Sequence, residues 1–123
     1  MLGYAAYTFA LGGMAAFMPK FLIRASYTAE GTKGLLKEGG TSRRSAVEKA
    51  LAGVGGKIDS FYFAFGDADA YVICDVPDNT AAIAISLAVN ASGFVNVSTI
   101  PLISAEELDA AVKKSVNYRA PGA

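Results

Sequence analysis

The stretch KIDSFYFAFGDADAYVICDV, residues 57–76, decides the fold. It contains two apolar, β-branched and aromatic runs, Lys57 to Phe65 and Asp69 to Val76, split by Gly66-Asp67-Ala68. Runs of that composition with a glycine and an aspartate between them read as two antiparallel strands joined by a tight hairpin. In the second run Ala70, Val72, Cys74 and Val76 fall on one face, and Asp69, Tyr71, Ile73 and Asp75 on the other. The first face is smooth enough to pack under helices. The second is too apolar for bulk water and too polar for a dry core.

Upstream, Gly55-Gly56 closes a helical stretch that opens at Thr41 or Ser42. Val47, Leu51 and Val54 form its apolar stripe, and Arg43, Arg44, Glu48 and Lys49 are assigned to its other faces. Ahead of it, Thr28 caps a short helix over Ala29 to Lys37 that Gly39-Gly40 ends. The run FLIRASYT, residues 21–28, alternates like a half-buried strand. Phe21, Ile23, Ala25 and Tyr27 point one way, and Leu22, Arg24 and Ser26 the other.

Downstream, Pro77-Asp78-Asn79-Thr80 ends the strand and starts a helix over Ala81 to Ala91. Ile83, Ile85, Leu87 and Val89 are spread nearly all round that helix, so more than the sheet should cover it. Phe94 to Ile103 is a fourth strand, and Ser104-Ala105-Glu106-Glu107 is a capping box before a last helix, Glu106 to Val116. The order predicts an α+β, ferredoxin-like βαββαβ fold: a four-stranded antiparallel sheet with the first and third strands central, plus a C-terminal helix.

The chain has 123 residues, enough for one domain with a real core. Residues 18–118 are read as that domain, 119–123 as a loose end, and 1–17 as an apolar extension outside the fold. Met1 to Phe17 carries no charge. A secretory signal would need a basic start, and a membrane span about 20 apolar residues without the break at Gly12-Gly13. Met18-Pro19-Lys20-Phe21 opens directly into a strand, which favours Met18 as the native start, with secretion or membrane attachment left open.

Hydrophobic residues make up 53% of the chain and charged ones 18%, more apolar surface than a small monomer hides easily, so a homodimer or higher homo-oligomer is expected. Eleven basic residues balance eleven acidic ones, which gives no bulk attraction to nucleic acid. The pairs Arg43-Arg44 and Lys113-Lys114 are read as solvated helix faces. The lone Cys74 allows no internal disulfide, suits a reducing, cytoplasmic setting, and reads as a small buried hydrophobe. The absence of histidine removes Ser-His-Asp and Cys-His nucleophiles, histidine bases and most zinc and iron sites. The glycine pairs match no dinucleotide or phosphate loop, so no cofactor or metal is expected.

Candidate binding residues are those of the mixed sheet face: Arg24, Ser26, Tyr62, Asp69, Tyr71 and Asp75. They suit the wall of a shared cavity holding a small apolar or mixed-polarity ligand. Arg24 and Asp75 are expected to form a cross-strand ion pair. Asp69 either holds a ligand or accepts backbone N–H bonds at the hairpin exit, while Asp67 caps its own turn.

The run Gly66-Asp67-Ala68-Asp69-Ala70-Tyr71-Val72-Ile73 leading to Val76-Pro77-Asp78 resembles the signature of the GYD domain family. Glu30-Gly31, Arg44 before Gly55-Gly56, Gly93 and Thr99 fit the same pattern, over about Pro19 to Ile103. The chain departs at Ala68, where the family name places tyrosine, whereas Gly66 and Asp69 match. The resemblance implies a dimeric α/β-barrel arrangement, two such sheets packed open face to open face, and no firmly assigned reaction. Three functions compete. One is a non-enzymatic dimer that binds a small molecule or partner protein at the sheet-lined cavity. Another is a structural or assembly role. The third is a cofactor-free monooxygenase- or isomerase-like enzyme, in which Tyr27, Tyr62, Tyr71, Arg24 and Asp69 would have to do the work.

Overall fold

Alternation along residues 20–27 buries Phe21, Ile23 and Ala25 and leaves the residues between them half-exposed, the mark of a strand with one covered face. In the computed structural model, which describes residues 18–123, this strand is β1 (Lys20–Tyr27). There follow α1 (Ala29–Glu38), α2 (Gly40–Ala52), β2 (Lys57–Phe63), β3 (Ala70–Asp75), α3 (Asn79–Ala91), β4 (Val95–Leu102) and α4 (Ala105–Val112). The strands form one antiparallel sheet in the order β2-β3-β1-β4, so the expected α+β, ferredoxin-like layout holds and β1 and β3 are central. The reading of residues 1–17 as an extension lies outside the described residues.

Helix starts form where side chains can satisfy free backbone donors. Thr28 Oγ1 accepts from the Gly31 N–H at 3.1 Å, and Asp78 from the Ala81 N–H at 2.8 Å. Ser104 and Glu107 complete a reciprocal capping box. α2 and α3 lie on one side of the sheet. Leu51 of α2 and Ala82 of α3 close over Phe21, Ile23, Val72, Cys74 and Val76, and a second cluster joins Ala25, Ala70 and Val95. Ser86 of α3 is hydrogen-bonded to Thr99 of β4.

Several boundaries differ from the sequence reading. The β2–β3 link runs over residues 64–69 and is not the tight turn expected over Gly66-Asp67-Ala68. The Ala64 N–H donates to the Asp69 carbonyl at 2.8 Å, but the Asp69 N–H donates to Ala25 of β1, and Phe65 is fully exposed. The register of β2 also slips between Ile58 and Ser60, a bulge at Asp59 that the composition did not announce. The last helix stops at Val112 instead of Val116, with Leu108 and Val112 still exposed. Among the described residues α4 buries no side chain, so packing there does not reward a further turn.

Two glycines of α1 have opposite surroundings. A Cβ at Gly31 would lie 1.9 Å from the Phe94 carbonyl oxygen, which also accepts from the Thr28 N–H at 3.0 Å. A Cβ at Gly34 would meet nothing within 4 Å. Gly31→Ala should therefore destabilise the protein by about 1–3 kcal/mol or more, while Gly34→Ala should stabilise it by about 0.5–1 kcal/mol. Urea denaturation of the two variants checks both signs.

Candidate functional site

The face of the sheet opposite the helices is divided along its length. Toward one end Leu22 of β1 stands between Ile73 of β3 and Ile100 of β4, with Leu102 beyond. Toward the other end Arg24 lies opposite Tyr71 and Ser98, and Ser26 opposite Asn96. The Arg24 guanidinium sits 5.8 Å from the centroid of the Tyr71 ring, within cation–π range. Tyr62 of β2 pairs with Tyr71 across the strands. Arg24, Ser26, Asp67, Asn96 and Ser98 border a shallow cavity of about 270 Å³. Of the six candidate residues, Arg24, Ser26, Tyr62 and Tyr71 thus share one region.

Asp75 and Asp69 do not join them. Register places Asp75 opposite Lys20, two positions along the face from Arg24. Lys20 Nζ donates to Asp75 at 2.8 Å and to Asp59, brought in by the bulge, at 3.2 Å. The expected Arg24–Asp75 ion pair is therefore replaced by a Lys20–Asp75–Asp59 cluster, because the partner directly opposite is nearer than one two positions away. The hydrogen bond to Asp75 is the main reason the Lys20 ammonium is held above its ordinary pKa. Asp69 lies outside β3, and its carboxylate accepts the Tyr27 N–H at 2.9 Å. That bond closes the end of β1, the structural role foreseen as one of its two options.

The residue that sequence reading missed is Arg43. Its charge predicts a solvated face of α2, yet it stands four residues before Val47 and eight before Leu51, on the stripe that faces the sheet. The 43/47/51 spacing was the available signal, overridden by the adjacent Arg44, which does lie outside and pairs with Glu48 at 3.9 Å. Arg43 lines two adjoining spaces between helices and sheet. An outer one of about 230 Å³ is bounded by Tyr27, Gly34, Leu35, Phe94 and Val95, and an inner one of about 40 Å³ by Val47, Phe61, Val89 and Val97. The Arg43 Nε is buried with no hydrogen-bond partner.

Cys74 is fully buried in the core. Burial, then the neighbouring Asp75 charge, pushes its thiol up to about 11. A group whose folded pKa is raised stabilises the fold below its unfolded pKa and stops doing so as pH rises through the folded value. Lys20 and Cys74 therefore both weaken the fold under alkali, Cys74 between its ordinary 9.0 and about 11, and Lys20 from 10.5 upward. Three results are expected. A thiol reagent at pH 8 should not label Cys74 until the protein is denatured. Cys74→Ala, though less stable overall, should flatten the stability loss above pH 9. Lys20→Met, by leaving Asp75 without its counter-charge, should cost about 1–3 kcal/mol at neutral pH.

Among the described residues no helix is long and apolar enough to cross a membrane, and no group of three or more His, Cys, Asp or Glu is placed to hold a metal ion. Searches of curated proteins and of solved structures gave no match. The family model of the GYD domain matches residues 21–112, well over half of the chain and every strand of the sheet. By that match, and by the four-stranded antiparallel sheet beneath its helices, the chain belongs to the GYD domain family.

Proposed function

We propose that the protein is a self-pairing binding module, a homodimer in which two open sheet faces meet and close the Arg24 region over a small molecule or a segment of a partner. The observation that carries this reading is the division of the open face. Its apolar part, Leu22, Ile73, Ile100 and Leu102, offers the surface that association removes from water. Its polar part holds a half-buried arginine that, among the described residues, has no carboxylate within salt-bridge distance. An unpaired cation enclosed by a partner needs an acceptor, and Ser26, Asn96 and Ser98 add hydrogen-bonding groups around it. The ligand class that fits is compact, with a planar or apolar body to lie on Tyr71 and an acceptor for Arg24.

A structural role in a larger assembly is the second reading, favoured by Ile83 and Leu87, which are exposed on α3 away from the open face. The two readings part in solution. Sedimentation should give a species of twice the 12.7 kDa chain mass. Leu22→Glu or Ile73→Glu should weaken that dimer about 100-fold or more, because each puts a hydrated carboxylate into the apolar part of the interface. A chain that sediments only as a monomer at micromolar concentration would defeat the pairing. A larger species resistant to both substitutions but dissociated by Leu87→Glu would favour assembly through α3.

A further inference from the structure

We propose that α4 is a pairing helix, which packs antiparallel against α4 of a second copy about a two-fold axis near residues 110 and 111. A helix of 8 residues is marginal in water unless something packs on it, and among the described residues α4 buries no side chain. Its start is nonetheless fully built, with the cap between Ser104 and Glu107 closed in both directions at 2.9 and 3.0 Å. Leu108 and Val112 stand one turn apart on a stripe that Val116 continues, and all three are exposed. Charges flank this seam in pairs. Glu107 and Lys114, two turns apart, share one flank, and Asp109 and Lys113, one turn apart, share the other. Among the described residues none of these four is in an ion pair. In an antiparallel pair like flanks meet, so Glu107 faces the second copy's Lys114 and Asp109 its Lys113, and the two-fold repeats both contacts. A parallel pair would set Glu107 against Asp109 and Lys114 against Lys113. Charge complementarity thus selects both the occupant and its direction. The other helix with an exposed apolar stripe, α3, carries no charge that could use these flanks.

A seam of about three turns falls short of the roughly 800 Å² per partner of a stable interface, so the contact is weak and is best trapped covalently. It needs nothing from the open sheet face, so the two pairings can fail separately. The test is disulfide trapping in the full chain, with Ala111→Cys, on the seam beside the axis, compared with Ala110→Cys on the outer face. Cys74 is buried and does not compete. With oxidised glutathione, Ala111→Cys should form a covalent dimer about tenfold or more faster than Ala110→Cys, because a disulfide requires Cα atoms within roughly 7 Å. That ratio should shrink in about 1 M salt, which screens the flanking pairs. Adding Lys113→Glu with Lys114→Glu should abolish it, since every flank then repels. Mixing that chain with one carrying Ala111→Cys and Asp109→Lys should restore it, because three of the four flanking contacts between them attract. All these positions are exposed and the capping box is untouched, so the fold survives each change. The ratio should persist in Leu22→Glu. Equal rates for the two cysteine variants, or a ratio indifferent to the changes at Lys113 and Lys114, would overturn the pairing. So would a monomer whose Ala111→Cys thiol is shielded from reagents, which would place α4 on its own chain.

Discussion

The contact between α1 and the start of β4 fixes the helix side of this protein. Gly31 brings the helix backbone against the Phe94 carbonyl, and Thr28 ties the same oxygen to the helix start. With its first turn held there, α1 cannot slide across the sheet, and its later residues, from Gly34 on, overhang an unfilled space. The second half of the crossover, α2, is anchored at its far end by the buried Leu51. Its opening turn, with Arg43, is left over the gap. The cavity is thus a by-product of two anchors placed at opposite ends of a broken crossover.

The two faces of the sheet do different work because β1 and β3 alternate in polarity. Toward the helices they present only apolar residues, Phe21, Ile23 and Ala25 from β1 and Ala70, Val72 and Cys74 from β3. Toward the open side they present Leu22, Tyr71 and Ile73 beside Lys20 and Arg24. The two cations of β1 end in different situations. Lys20 is held by two carboxylates, whereas Arg24 rests on an aromatic ring. Register alone separates them, since both sit on the same face of the same strand.

Much of the fold was legible because its signals are local. Caps at Thr28, Asp78 and Ser104, glycine stops, and period-two alternation along residues 21–27 and 70–76 act within a few residues. The register that sends Asp75 to Lys20 depends on where β1 and β3 begin to pair, which no short window contains. The extra residue at Asp59 was hidden for the same reason, since a bulge is defined by two strands together. Arg43 is hidden for another cause: its charge suggests solvent, whereas its position obeys the helical repeat and a long side chain can bury its stem. The sequence pattern thus places Arg24, Ser26 and Tyr71 on one face, whereas their partners depend on register.

The bulge in β2 has a further consequence at the rim of the sheet. β2 and β4 are the edge strands, whose outward backbone groups could template pairing with another chain. At Asp59 the bulge breaks the even spacing that such templating needs, and the charges of Lys57 and Asp59 flank it. On the opposite rim Pro101 offers no N–H at all. The bulge on one margin and the proline on the other thus each disfavour extension of the sheet by a further strand.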